Sequence, residues 1–326
     1  PHIYIGDVEL NKDDMWSILL ENNTKTEESD LDIPSIIKKN ITYSPGFLKI
    51  FDEALTNATD HAARDETVTS IKVDYNKETG EISVYNNGEG IDVAIHNEYN
   101  IYVPEMIFGQ LLTSTNYDKD EKKITGGKNG YGAKLTNIFS KKFIIETVDS
   151  KRQLLYIQTF KNNMRERTKA EVRKISGDGY TEITFKPDLA RFGMETIDDS
   201  HVEMMRKRCL DIAACNSKLR VYFNGVERSF TSFKDYCELF NKEVIYEESD
   251  RWKIAISSSG GSFSQVSFVN SVDTKDGGTH VDYIANQVIE WLREKVKRKH
   301  KVDLKPSELR NHLFAFVQCD IVNPAF

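Results

Sequence analysis

No apolar run in this 326-residue chain approaches the ~20 residues a membrane-crossing helix requires, so no membrane partner is expected. Cysteine is scarce. Cys209, Cys215, Cys237 and Cys319 show neither a C-x-x-C pair nor a regular spacing, which argues against a disulfide frame or a zinc site. They read as ordinary thiols in a reducing compartment. No signal peptide is expected before Pro1, and the chain opens as if cut from something longer. A cationic excess is missing too. Lys and Arg number 44 against 51 Asp and Glu, and the net charge of −7 argues against a protein coated in nucleic acid while allowing local contacts. No internal repeat is visible. What remains is a globular composition, 39% hydrophobic and 29% charged, at a length that favours two domains, each with its own core.

Glycine, by contrast, is concentrated. Gly126, Gly127, Gly130 and Gly132 fall within seven residues, directly before apolar residues at helical spacing. Glycine costs chain entropy but lets a backbone approach a ligand closely. A helix start adds unpaired N–H groups and the positive end of a dipole, so an anion is the physical expectation. Two familiar phosphate loops fail on counting. From Gly127 the count reaches Gly132, but Ala133 intervenes before Lys134 and Leu135 stands where a P-loop needs a hydroxyl. The dinucleotide pattern lacks its third glycine at the same leucine. The loop therefore suggests phosphate without specifying a fold, and a flexible loop capping a helix stays the alternative.

Residues 44–65 read as a helix, with Ser44 as cap and Pro45 in the first turn. Phe47, Leu48, Phe51, Ala54, Leu55 and Ala58 form its apolar stripe, while Glu53, Asn57, Asp60 and Arg64 share another face. A hairpin follows over residues 71–84, then the loop Asn86-Asn-Gly-Glu-Gly90. Helical signal returns near 104–112 and after the glycine loop. Strands are expected at 142–147, 154–160, 181–185 and 219–223, with a helix over 198–215. Hairpins and helices without regular βαβ alternation indicate an α+β class. The domain boundary is expected near Thr231, giving domains 1–230 and 231–326. The second holds strands at 251–258, 263–270 and 314–320 and a helix over 280–300. That helix ends in a run, 293–301, of six Lys/Arg against one Glu. Its Lys297, Arg298 and Lys299 read either as a solvated terminus suited to the helix dipole or as a contact to a polyanion.

The order of these parts (acidic helix, hairpin with a glycine turn, glycine loop feeding a helix) resembles the GHKL ATPases. Within that group, Phe51-Asp-Glu-Ala-Leu-Thr-Asn-Ala58, Val103-Pro-Glu-Met-Ile-Phe-Gly-Gln-Leu-Leu-Thr113 and Thr125-Gly-Gly-Lys-Asn-Gly-Tyr-Gly-Ala-Lys-Leu135 look like the ATPase region of eukaryotic-type DNA topoisomerase II. So do Phe185-Lys-Pro-Asp-Leu189, Ser267-Phe-Val-Asn-Ser271, Gly277-Gly-Thr-His280 and Asn323-Pro-Ala-Phe326. The resemblance implies a GHKL (Bergerat) α/β sandwich followed by a transducer domain like the second domain of ribosomal protein S5.

It also implies roles. Glu53 would be the general base for water attacking ATP, a task that suits a carboxylate. Asn57 would offer an oxygen to Mg²⁺, a hard cation. Asn86 would accept from the adenine amino group, where many members carry aspartate, and Thr181 would reach adenine through water. Ser114, Thr115 and Asn116 would contact the ribose and α-phosphate side, with Thr115 where serine is expected. Gly127, Lys128, Asn129, Gly130, Tyr131, Gly132, Ala133 and Lys134 would wrap the triphosphate, with Lys128 where arginine is common. The implied function is the N-terminal gate of a type II topoisomerase, a homodimer closed by ATP around a DNA duplex and joined to downstream cleavage domains. In relatives a switch lysine lies beyond the position of Phe326 and an exchanged arm before Pro1. A nucleotide-sensing clamp with negligible turnover, or a MutL-like or chaperone-like ATPase, is the alternative. The nucleus is the expected location for a cellular eukaryotic protein, and a host nucleus or viral factory for a viral one.

Overall fold

The computed structural model describes residues 5–19, 35–110 and 132–324. Two compact units divide the chain, Pro1–Ser229 and Phe230–Phe326.

The first unit begins with a two-stranded antiparallel sheet, β1 (Asn11–Leu19) and β2 (Ser35–Tyr43). Helix α1 (Pro45–Arg64) follows at once. The Ser44 side chain accepts from the amide of Phe47, filling one of the open donors of the first turn. Of its apolar stripe Phe47, Phe51, Ala54, Leu55 and Ala58 are 6% exposed or less, as is Ile50, while Leu48 is half-buried. Each such side chain removed from water contributes about 1.5–3 kcal/mol for the larger members.

The remaining elements are β3 (Ser70–Asn76), β4 (Glu81–Asn87), α2 (Val103–Gly109), α3 (Gly132–Ile138), β5 (Ser140–Asp149), β6 (Leu154–Lys161), β7 (Glu166–Arg167), β8 (Glu171–Lys174), β9 (Tyr180–Pro187), α4 (Asp199–Cys215), β10 (Arg220–Phe223) and β11 (Val226–Arg228). The strands form one sheet in the order β11-β10-β3-β4-β9-β5-β6-β7, with β8 also paired to β6. Within it β10 runs parallel to β3. The expected strands and helices at 142–147, 154–160, 181–185, 198–215 and 219–223 are all present, the first three as longer strands and the last two each starting one residue later.

Alternation places every second strand residue on the face carrying the core. Register then sorts those residues into rows crossing four strands. Tyr75, Ile82, Phe185 and Phe143 form one row, and Val73, Val84, Ile183 and Ile145 the next. The third row is Ile71, Asn86, Thr181 and Thr147. Two rows are almost wholly apolar, and the third turns polar halfway across. All three polar members are buried.

Helices α1, α2 and α3 are tied to one another as well as to the sheet. The Thr136 hydroxyl donates to the carbonyl of Ile50 at 2.8 Å, and the Asn137 amide to that of Phe108 at 3.0 Å. The β1–β2 sheet lies on α4, where Ile41, Tyr43 and Met204 cluster and the Ser17 hydroxyl donates to Glu203 at 2.9 Å.

The second unit holds α5 (Phe233–Cys237), β12 (Ile245–Glu248), β13 (Trp252–Ser258), β14 (Ser264–Val269), β15 (Val272–Asp273), α6 (Thr279–His300), α7 (Pro306–Arg310) and β16 (Leu313–Cys319). Its sheet order is β12-β13-β16-β14-β15. The central strand β16 is buried at every position and runs parallel to β14, so α6 lies within a crossover between parallel strands. Ala285 and Ile289 of α6 pack against Leu313 at the start of β16. All four cysteines are buried free thiols. No described helix is long and apolar enough to cross a membrane.

Candidate nucleotide site

The polar face of α1 carries the first part of the site. Glu53 lies one turn after Lys49, whose ammonium meets its carboxylate at 2.6 Å. Burial raises the pKa of Glu53; Lys49 opposes that rise without cancelling it, and Asp52 and Asp60 add to it. Burial likewise works against the charge on Lys49, but Glu53 and Asp52 outweigh it and its pKa goes up. Asp52 is in turn paired with Arg208 of α4. Sequence reasoning passed over Lys49, although a lysine four residues before a glutamate on a helix is a visible ion-pair signal.

The carboxylate of Glu53 occupies the space beside Gly132, the first residue of α3. A Cβ at Gly132 would lie 2.7 Å from the Glu53 carboxyl carbon. A side chain at this position would displace the end of Glu53, so glycine leaves the acid its place. Two residues on, Lys134 is buried, and desolvation pushes its ammonium down to about 8. Among the other expected phosphate contacts, Gly132 and Ala133 also open α3, while Gly127, Lys128, Asn129, Gly130 and Tyr131 lie outside the described residues. Ser114, Thr115 and Asn116 lie outside them too.

Asn57 donates its side-chain amide to the carbonyl of Glu53 at 2.7 Å, which commits the nitrogen and leaves the oxygen as the atom available to a cation. Among the described residues no cluster of three or more His, Cys, Asp or Glu side chains is placed to hold a metal alone.

Beside the C-terminal half of α1 stands the polar row of the sheet. The Thr147 and Thr181 hydroxyls are 3.0 Å apart, and Thr147 also donates to the carbonyl of Tyr180 and accepts from the amide of Ile91. Thr147 was not anticipated, because only pairing across β5 and β9 brings it beside Thr181. Asn86 donates to the carbonyl of Asn87 at 2.8 Å and meets His61 of α1 at 3.0 Å. The loop after Asn86 is pinned on both sides. Asp65 accepts from the amide of Glu89 and Asp149 from that of Val93. Gly90, at φ +78°, packs so closely on Val148 that a Cβ would lie 2.7 Å from its carbonyl carbon. Positive φ and close approach together demand glycine there.

In the second unit, Lys297, Arg298 and Lys299 are exposed at the end of α6. Lys297 pairs with Asp303 at 3.1 Å and Arg298 with Glu294 at 2.6 Å.

A helix carrying a buried acid over a polar sheet row, beside a glycine-led helix start, defines a GHKL-type ATPase domain. The family of histidine kinase-, DNA gyrase B- and HSP90-like ATPases matches residues 43–191, and the DNA gyrase B family matches 223–326. The chain is 44% identical to DNA topoisomerase 2 of Meyerozyma guilliermondii, a match that takes in 100% of the chain and 24% of that protein. With the enzyme of Pisum sativum the figures are 45%, 100% and 22%. Among solved structures, the ATPase region of Saccharomyces cerevisiae topoisomerase II superposes with a TM-score of 0.91 at 44% identity, covering 99% of this chain and 83% of that one. The chain belongs to the ATPase regions of the DNA topoisomerase II family. It spans only about a quarter of the length of the curated relatives it matches.

Proposed function

We propose that this chain binds and hydrolyses ATP as the entry gate of a type II DNA topoisomerase. Two copies close on nucleotide, capture a double-stranded DNA segment, and reopen after hydrolysis, while downstream domains of the same polypeptide cut and rejoin a second duplex. The observation that carries the reading is the Glu53 carboxylate set against the first residue of α3, the helix that the glycine loop feeds.

Glu53 orients a water and takes its proton as the water oxygen bonds to the γ-phosphorus and the bridge to the β-phosphate breaks. Its raised pKa suits a proton acceptor. Lys134 places a point charge on the phosphates, and the backbone of Gly132 and Ala133 supplies N–H groups at a helix start. Asn57 is the residue that would hold Mg²⁺, which when bound neutralises phosphate charge. Asn86 offers an acceptor to the adenine amino group, and Thr181 the same base through water. Ser114, Thr115, Asn116 and the 127–131 segment complete the ribose and phosphate contacts on the strength of the family resemblance.

Glu53→Gln in the full-length protein tests this. It keeps the shape but cannot accept a proton, so turnover is expected to fall on the order of 10²-fold or more with nucleotide binding retained. Loss of binding in step with turnover would contradict the role.

A further inference from the structure

The amide of Asn86 can be oriented without ambiguity. One atom of its side-chain terminus lies 2.8 Å from the carbonyl oxygen of Asn87. A carbonyl only accepts, so that atom is the nitrogen. The same nitrogen lies 3.0 Å from Nδ1 of His61. Its second hydrogen points there, so Nδ1 carries no proton and the imidazole holds its proton on Nε2. That nitrogen faces a carboxylate oxygen of Asp65 at 3.5 Å. Asp65 is itself fixed by the Glu89 amide and by the amide and hydroxyl of Thr67. Both amide hydrogens of Asn86 are thus used within the protein, and its oxygen is the atom left to meet a ligand.

We infer that His61 is a specificity-determining positioning residue: by accepting from Asn86 it fixes the amide so that an acceptor faces the base, selecting purines with a 6-amino group over 6-keto purines. This rests on the reading of Asn86 as the base contact. Without an acceptor at His61, only the Asn87 carbonyl still holds the amide, and turning it costs one hydrogen bond where it had cost two. Turned, it presents a donor, which suits a 6-keto group. Burial lowers the pKa of the imidazole, the direction the orientation requires, with Arg64 acting in the same sense and Asp65, the Asn86 amide and Glu89 opposing.

The test uses ADP and IDP, whose bases differ at the 6-position and which carry no γ-phosphate to be cleaved. Their dissociation constants are measured by calorimetry on the full-length protein and on His61→Phe, His61→Asn and Asn86→Ala. The parent is expected to favour ADP by about tenfold or more, the scale of one buried hydrogen bond. His61→Phe keeps a ring but removes one of the two groups that orient the amide, and should lower the ratio by about threefold or more. His61→Asn sets an oxygen at the position of Nδ1 and should restore it. His61→Leu replaces His61→Phe if the larger ring lowers the melting temperature. An unchanged ratio in His61→Phe with the ratio lost in Asn86→Ala overturns the role of His61 alone. So does equal weakening of both nucleotides in His61→Phe. A parent without preference, or a preference that survives Asn86→Ala, overturns the reading of Asn86 and this inference with it.

Discussion

Substituting alanine at Gly132 isolates the contact on which the catalytic assignment stands. The new methyl carbon would lie 2.7 Å from the carboxyl carbon of Glu53, where ordinary carbon contacts are about 3.5–4.0 Å. A carboxyl oxygen of Glu53 would lie closer still, so a displacement of about 1 Å or more is required. The backbone of α3 resists it, because Thr136 and Asn137 tie that helix to α1 and α2. The carboxylate is the softer partner, although Lys49 holds it at 2.6 Å from the other side. The acid gives way, and a misplacement of about 1 Å at a reacting group costs on the order of 10²-fold in rate. Stability is expected to change little, since alanine exceeds glycine by roughly 1 kcal/mol in a helix interior and Gly132 stands at the helix start, where that gain is not fully realised. Turnover of the full-length protein and its melting temperature are the two readouts. A variant that melts close to the parent while hydrolysing ATP about 10²-fold more slowly is the expected result. Turnover within about threefold of the parent would refute the argument, because the carboxylate would then not need the place in which it sits.

Asn57→Ala is expected to weaken Mg-nucleotide much more than nucleotide in EDTA, and equal weakening in a titration of both would make Asn57 merely structural. Lys134, pushed down to about 8, is charged below that pH and neutral above it. Nucleotide affinity should thus be full at lower pH and fall as pH rises through 8, and Lys134→Arg, charged throughout, should flatten the fall in a binding titration. For DNA, neutralising Lys297, Arg298 and Lys299 together should reduce the salt dependence of binding by about 0.9 for each phosphate that is no longer neutralised. Since Lys297 and Arg298 already face Asp303 and Glu294, a reduction nearer one phosphate than three is expected, and an unchanged slope returns the run to a solvated helix end.

How far the sequence could be read depended on how local the interaction was. Glu53 and Asn57 were legible because helical periodicity alone puts them on one face, and the Ser44–Pro45 start sets the phase of that helix. Lys49 was equally local and still went unread, since an i,i+4 pair on a helix is more often solvated than buried. The β1–β2 sheet gave no usable pattern. Asn11–Leu19 places Lys12, Asp13 and Asp14 ahead of its few buried side chains, and its partner lies beyond residues 20–34 rather than across a short turn.

Register is the least local property, and it decides the base end of the candidate site. Nothing in Val84-Tyr-Asn86, Ile145-Glu-Thr147 or Thr181-Glu-Ile183 separately says that Asn86, Thr181 and Thr147 stand side by side, because each strand simply alternates. Pairing converts three unremarkable positions into one polar row, two residues along from a row built of Val84, Ile183 and Ile145. A one-residue slip of β9 would turn Thr181 to the opposite face and remove Ile183 and Phe185 from the core in the same step. The apolar rows therefore hold the polar row in register. The cost of losing Phe185, a fully buried aromatic, is what keeps Thr181 beside Asn86.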